Sequence, residues 1–242
     1  MIKLINEIYC EALAQYDYGK MKWCMDYIRE LRSIIFHKYD EISAQILTYI
    51  ENYTKYSEAE LEEIKLKGNA QANKRGDISQ KAEILLNERS ADIHFGIWGN
   101  VQAKSVTFRK INFEVFQCAI PRQHASQHLI LRCIWTSFDN VSGDNKKKFD
   151  YITVGGVGLC RMFVYPEPPR KTLQWTMRKI QSIDDSLKVI PYPDPSSSVQ
   201  TDDVKASYVL PDYVFTTEKD EIKVGVWDED QQCWSMDYIE DL

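Results

Sequence analysis

The segment HLILRCIWTSF, residues 128–138, decides the fold class of this chain. Successive side chains of a β-strand point to opposite faces of a sheet, and this segment follows that period of two. One predicted face carries Leu129, Leu131, Cys133 and Trp135. Because a large aromatic residue on such a face usually lies in a core, the segment predicts a strand with Trp135 buried.

Further short strand patterns surround this segment on both sides. They cover residues 92–100, 106–116 with a bend near Lys110, 149–154, 157–166 and a hairpin at 221–236 with its turn at Asp228–Asp230. Turn signals separate them, as is typical of antiparallel sandwiches and barrels. The chain lacks the regular alternation of helix and strand patterns that indicates a parallel nucleotide-binding sheet.

The first third of the chain is predicted to be helical. The apolar spacing in INEIYCEALAQY, residues 5–16, is that of an amphipathic helix, and we expect a break at Gly19. A second helix is predicted from Met21 to Tyr56, with an apolar row repeating every seven residues. The row consists of Ile28, Ile35, Ile42 and Tyr49.

The second helix would reach roughly 50 Å at 1.5 Å per residue, which exceeds the width of a small domain. Two interpretations stay open. The helix packs as a hairpin on itself or on the later domain, or it lies along a partner through the apolar row.

The helical pattern is expected to weaken between Gly68 and Gly76 and to resume as a short helix over residues 77–89. The sequence therefore predicts an α+β protein. A long-helix hairpin or bundle over residues 1–90 precedes an antiparallel, β-sandwich-like domain over residues 91–242. A Pro- and Ser-rich excursion at about 191–207 interrupts this second domain.

The glycine cluster at Gly155, Gly156 and Gly158 does not predict phosphate binding. A P-loop requires a following Lys-Ser or Lys-Thr, and a dinucleotide fingerprint opens a helix. Here β-branched and aromatic residues follow, and then Pro166. The glycines are interpreted as a bulge or a close backbone crossing in a strand.

The other residue types that carry chemistry give no motif. The six cysteines contain no C-x-x-C pair, and Cys133 is interpreted as a core thiol. His124 and His128 are interpreted as surface histidines, and the acidic turn Asp228–Asp230 as a solvated hairpin tip. We expect no catalytic residues, no cofactor and no metal. Scattered cysteines without a signal peptide or a long apolar run favour a soluble protein of a reducing compartment.

Charge is distributed unevenly along the chain. Residues 91–190 hold 14 Lys and Arg against 8 Asp and Glu, whereas residues 191–242 hold 3 against 13. The asymmetry fits either intramolecular complementarity or two partner faces of opposite sign. It does not produce the dense basic face of a nucleic-acid binder, so neither nucleic acid nor a membrane is expected as a partner.

Several short motifs occur in an order that is familiar from one protein family. Trp98-Gly99-Asn100 is followed by Ile120-Pro121 and by the segment from Arg132 to Asp139. Next come Gly155-Gly156-Val157, the bend at Pro168-Pro169 and the segment Trp175-Thr176-Met177-Arg178, and the hairpin with Trp227 and Trp234 ends the series. Over residues 90–240 this order resembles the axonemal dynein accessory family known as cancer susceptibility candidate 1 or axonemal dynein intermediate chain 7.

The resemblance implies a non-catalytic structural or interaction protein of the ciliary axoneme, without a cofactor. Its implied partners are tubulin or other doublet-microtubule proteins and axonemal dynein subunits, within a large hetero-assembly of the cytoskeleton. Relative to the family pattern the chain is short, so we expect a divergent short paralogue. The alternative is a small-ligand-binding or enzymatic β-domain with a helical appendage.

From these patterns we expect Trp98, Trp135 and Trp175 to be at least half buried in one β-domain, and the row Ile28, Ile35, Ile42 and Tyr49 to contact a partner.

Overall fold

The structure is a computed structural model that describes residues 1–53, 83–90, 92–100, 108–125, 127–142, 153–167, 170–172, 175–178, 182–192, 204–212, 214–215 and 223–236. The chain divides into two compact units. The first comprises Met1–Thr48 with Gln181–Leu187, and the second comprises Tyr49–Ile180 with Lys188–Leu242. An N-terminal helical hairpin precedes antiparallel sheets, which confirms the predicted α+β class.

The helices are α1 (Ile2–Ala14), α2 (Tyr18–Thr48), α3 (Arg122–Ala125) and α4 (Ile183–Ser186), with a 3-10 turn at Ile50–Asn52. The first eight described strands are β1 (Glu83–Arg89), β2 (Ile93–Asn100), β3 (Phe108–Phe113), β4 (Phe116–Pro121), β5 (Leu129–Thr136), β6 (Val157–Val164), β7 (Arg170–Thr172) and β8 (Trp175–Met177). They are followed by β9 (Val189–Ile190), β10 (Lys205–Tyr208), β11 (Val226–Asp228) and β12 (Cys233–Ser235).

The hairpin of α1 and α2 has its own small core. Ile5 of α1 and Cys24 and Ile28 of α2 are buried together, and Tyr9 and Leu31 are among the partly buried residues that pack against them. The apolar spacing of both helices brings these side chains to one seam, as amphipathic helices require. Among the described residues, no helix is long and apolar enough to cross a membrane.

The ends of the helices differ from the prediction. The break lies at Gln15–Asp17 instead of Gly19, because the Asp17 carboxylate accepts a hydrogen bond from the backbone N–H of Lys20 and caps α2. α2 ends at Thr48 instead of Tyr56. The Thr48 hydroxyl donates to the carbonyl of Ala44 in the last turn.

Two antiparallel sheets form the larger part of the second unit. The first sheet has the strand order β1-β2-β5-β6-β9, and the second has the order β10-β4-β3. Two separate hairpins, β7-β8 and β11-β12, complete the described strands. The hairpin predicted at 221–236 is confirmed, with Trp227 opposite Trp234.

The two sheets pack face to face around one core, which is the predicted sandwich-like arrangement. The first sheet contributes Trp98, Leu129, Leu131, Cys133 and Met162, and the second contributes Ile111, Phe113, Cys118 and Ile120. All eight residues of β5 are buried, and β5 is the middle strand of the five-stranded sheet.

Close approach of the sheets requires a glycine at position 96. A Cβ at Gly96 would lie 2.2 Å from Cδ1 of Phe113, because the Phe113 ring occupies the space where a side chain would stand. The glycine in β2 therefore lets a strand of the second sheet contact the backbone of the first.

Residues 83–89 form a strand, and the predicted helix over 77–89 is wrong in this part. β1 pairs with β2 along its whole length, from Glu83 opposite Asn100 to Arg89 opposite His94. Sheet pairing therefore overrides a local apolar pattern that fits either structure. Residues 77–82 and the predicted break between Gly68 and Gly76 lie outside the described residues.

Three smaller differences concern strand ends. The bend predicted near Lys110 lies at Glu114 and Val115, where Glu114 has a positive φ of 64° and its N–H donates to Asn112. Of the strand predicted at 149–154, Thr153 and Val154 are irregular and the rest lies outside the described residues. The predicted excursion at 191–207 ends in β10, which pairs with β4.

Candidate functional site

Three cysteines converge between the two sheets. The Sγ atoms of Cys118 and Cys133 are 3.8 Å apart, those of Cys118 and Cys160 are 3.9 Å apart, and those of Cys133 and Cys160 are 3.1 Å apart. We call Cys118, Cys133 and Cys160 the three-thiol cluster. Among the described residues, it is the one group of His, Cys, Asp or Glu side chains with its potential ligand atoms this close together.

The sheet register positions the cluster. Cys133 of β5 stands directly opposite Cys160 of β6, and Gly96 of β2 is the register partner of Cys133 on its other side. Cys118 reaches the same place from β4 of the facing sheet. The cluster thus contacts both sheets of the sandwich. It lies beside Gly96, the position at which β2 has no side chain.

The cluster combines burial with an exposed side. Cys118 and Cys133 are buried, whereas Cys160 is exposed as a residue although its sulfur lies within 3.9 Å of both buried sulfurs. Hydrogen bonds with Cys133 and Cys160 lower the pKa of Cys118 to about 5. Burial raises the pKa of Cys133, and the hydrogen bond to Cys118 raises that of Cys160. The three thiols therefore titrate as one coupled group.

The sequence indicated only part of this site. Cys133 was predicted to be a core thiol, and its burial confirms this. The convergence with Cys118 and Cys160 was missed, because the three positions lie on different strands without a short spacing motif. The available signal is that each cysteine lies in a predicted strand pattern or directly follows one, but sequence alone does not give the register between strands.

The predicted partner-binding row is divided by the hairpin. Ile28 is buried against α1 and is not available to a partner, so its prediction as a partner-binding residue is wrong. Ile35 is partly buried, while Ile42 is 44% exposed and Tyr49 is exposed beyond the end of α2. Arg178 lies over the ring of Tyr49, at 4.9 Å from its centroid.

The predicted motif tryptophans fall into two groups. Trp98 and Trp135 are buried, as predicted, whereas Trp175 is 76% exposed, and the prediction of its burial is wrong. Trp175 belongs to the short hairpin β7-β8, which does not join either main sheet. Trp227 and Trp234 contact each other edge to face across β11 and β12, with ring centroids 5.3 Å apart.

Gly156 allows the close backbone crossing that was predicted, but Gly155 and Gly156 precede β6 instead of lying in a strand. Gly156 has a positive φ of 96°, and a Cβ there would lie 2.5 Å from the carbonyl oxygen of Thr136. The hydroxyl of Tyr208 donates to the carbonyl of Gly155. Gly156 therefore allows the chain to pass close to β5, whereas Gly155 faces Tyr208 and Leu210.

His124 and His128, which the sequence analysis interprets as surface histidines, contact aromatic rings. His124 packs edge to face on Tyr192, and His128 lies beside Tyr165. His128 is exposed and His124 is partly buried. Neither belongs to the three-thiol cluster.

A loop carboxylate connects β5 to the C-terminal hairpin. Asp139 accepts hydrogen bonds from Ser142 and Thr153, and the indole N–H of Trp234 donates to the Ser142 hydroxyl at 2.8 Å. Burial raises the pKa of Asp139, but hydrogen bonds from Ser142, Val141 and Thr153 together lower it by more than burial raises it. The pKa therefore lies below its ordinary value. The network fixes the position of the hairpin.

No family model matches the sequence, and no curated protein matches it. The relationship to the axonemal family that the sequence motifs indicate therefore stays a prediction.

Proposed function

We propose that this protein is a non-catalytic interaction protein of the ciliary axoneme, bound to doublet-microtubule proteins or to inner-arm dynein subunits. The observation that carries the proposal is the exposed apolar side of α2. The resemblance of residues 90–240 to the axonemal family supplies the expected partners.

Two exposed apolar residues of α2, Ile34 and Ile42, lie on one side of the helix with Lys38 between them. These residues are four apart, so they lie along one face of the helix. Ile34 is 49% exposed and Ile42 is 44% exposed. Large apolar side chains in water on a regular helix offer a partner an anchor of the kind that helix-in-groove recognition uses.

Charged side chains border this face. Lys38 pairs with Glu41 at 2.6 Å, and His37 approaches the same carboxylate at 3.3 Å. The hydrogen bond from Lys38 lowers the pKa of Glu41 below its ordinary value. Paired charges around an apolar centre resemble the polar rim of an interface, where they contribute more to orientation than to affinity.

A second route to the same partners is through charge. Residues 91–190 carry an excess of Lys and Arg, which would attract the acidic surface of tubulin. The two routes differ in their response to salt, since screening weakens charge-led binding steeply and apolar binding little.

The experiment uses the tagged full chain in ciliated cells. We expect Ile42→Asp to abolish retention on extracted axonemes while the circular dichroism spectrum of the purified protein stays unchanged. The matched control is Leu4→Asp, which places the same charge at an exposed position of α1 and should be retained.

Equal retention of the wild type, Ile42→Asp and Leu4→Asp would overturn the assignment of α2 as the contact. If the wild type never enters axonemes, the proposed function itself is wrong. If retention is unaffected by Ile42→Asp but is lost when the salt concentration is raised, the contact lies in the basic residues 91–190 instead of α2.

A further inference from the structure

We propose that the three-thiol cluster binds one soft metal ion, Cu(I) or Zn(II), between the two sheets. Both ions form strong bonds to deprotonated cysteine sulfur. The site is independent of the axonemal function proposed above and would give the β-domain a ligand of its own.

The sulfur spacing is close to that of a metal centre. Three sulfurs at the usual bond length of about 2.3 Å from one ion are roughly 3.8 Å apart. The distances from Cys118 to Cys133 and to Cys160 are 3.8 and 3.9 Å. The distance from Cys133 to Cys160 is 3.1 Å and would have to open by roughly 0.7 Å when an ion binds.

The sandwich holds the sulfurs in place before an ion arrives. Each thiol comes from a different strand, and Cys133 and Cys160 are fixed as opposite residues of one ladder. Phe113 fills the space beside Gly96, the other register neighbour of Cys133, so this side is closed. An ion would enter from the side of Cys160.

Metal binding would displace the thiol protons of the cluster, because only thiolates bind metals. Binding therefore releases protons, and the affinity should rise with pH.

The number of ligands distinguishes the two ions. Among the described residues, no fourth His, Cys, Asp or Glu joins the three sulfurs. Zn(II) sites are almost always four-coordinate, so zinc would need a water molecule on the Cys160 side. Cu(I) would be satisfied by the three sulfurs alone.

Oxidation is the competing chemistry at the same atoms. The Cys133 and Cys160 thiols could form a disulfide, losing two protons and two electrons to an oxidant such as hydrogen peroxide, which becomes two water molecules. A disulfide removes two of the three ligands, so a metal and this bond exclude each other.

The test titrates the reduced full chain with Cu(I), and separately with Zn(II), against a chromophoric chelator in the absence of oxygen. We expect one equivalent of one of these ions to bind per chain. Cys118→Ser and Cys160→Ser should each lower the metal affinity by more than about 100-fold. Loss of a residue that only supports a ligand lowers metal affinity by roughly 10- to 100-fold, so a larger loss indicates a direct ligand. The matched control is Cys24→Ser, a buried cysteine of the helical hairpin, which should bind as the wild type does.

X-ray absorption of the loaded wild type keeps the test decisive if the cluster variants do not fold. Three sulfur neighbours at about 2.3 Å from the metal support the site. We expect three sulfurs alone around copper, and three sulfurs with one oxygen around zinc. The proposal is overturned by the absence of bound metal, by oxygen and nitrogen neighbours only, by binding that survives Cys118→Ser, or by a cluster that forms a disulfide and takes up no ion when reduced.

Discussion

The indole N–H of Trp135 donates a hydrogen bond of 2.9 Å to the hydroxyl of Tyr208, and the two rings lie nearly parallel with centroids 6.2 Å apart. Trp135 belongs to the central strand of the first sheet and Tyr208 to an edge strand of the second. The Tyr208 hydroxyl in turn donates to the carbonyl of Gly155. One hydroxyl thus joins the two sheets and the segment that enters β6.

Tyr208→Phe should lower the free energy of unfolding by about 1–3 kcal/mol, because it leaves the Trp135 N–H without its partner in a buried position. Chemical denaturation measures the change. Tyr18→Phe, at an exposed tyrosine of α2, should alter stability by less than about 0.5 kcal/mol. A loss of equal size in both variants would show that the hydrogen bond does not link the sheets.

Gly96→Ala should destabilise the protein by about 1–3 kcal/mol, since the added methyl group overlaps the Phe113 ring. Gly19→Ala is the matched control. Its nearest neighbour would be a flexible Asp17 oxygen at 3.5 Å, and alanine favours the helix, so this variant should be neutral or more stable. Thermal unfolding compares them. If Gly96→Ala is as stable as the wild type, the sheets do not approach each other closely at this point.

Trp135→Ala should cost about 3–5 kcal/mol, because Trp135 is only 4% exposed and its removal leaves a cavity. Trp175→Ala removes an exposed ring and should change the free energy of unfolding by less than about 0.5 kcal/mol. Denaturation monitored by circular dichroism provides both values. A larger cost for Trp175→Ala than for Trp135→Ala would contradict the placement of the two residues.

Asp139 makes stability depend on pH in the acidic range. Its folded pKa is lowered, since hydrogen bonds from Ser142, Val141 and Thr153 outweigh the opposing effect of burial. Its stabilising contribution is therefore fully present above the unfolded pKa of about 3.9 and is lost as pH falls through the folded pKa. Asp139→Asn should remove this part of the acid dependence.

The comparison requires unfolding curves of the wild type and Asp139→Asn at several pH values between 7 and 2. We expect the variant to be less stable near neutrality and the difference to shrink in acid. A difference that stays constant over this range would show that the Asp139 carboxylate does not carry the stabilising charge.

The fold was largely predictable because alternation and turn signals act locally. The alternating residues around Trp135 and the acidic turn between Trp227 and Trp234 gave a strand and a hairpin that the structure confirms. Residues 83–89 were not predictable in this way, since adjacent Leu85 and Leu86 fit a helix and a strand equally well. Pairing with β2, a long-range contact, decides between them.

The three-thiol cluster lay beyond sequence reasoning for the same reason. Its members become neighbours only through the register of β5 with β6 and the packing of β4 across the sandwich.

The burial of Trp175 was predicted wrongly. An aromatic residue in a strand pattern suggested burial, but the two-stranded hairpin β7-β8 leaves Trp175 exposed. On α2, the seven-residue spacing did not show that α1 would cover Ile28 or that the helix would end before Tyr49.

The proposed axonemal function is tested most directly by cross-linking mass spectrometry on isolated axonemes that contain the full chain. Lys38 lies between Ile34 and Ile42 on the exposed side of α2, and its side chain is 61% exposed, so it is accessible to a lysine-reactive reagent. The account predicts cross-links from Lys38 to a tubulin or to an axonemal dynein subunit. Axonemes in which the protein is present but Lys38 cross-links only within its own chain, or from which the protein is absent, would contradict it.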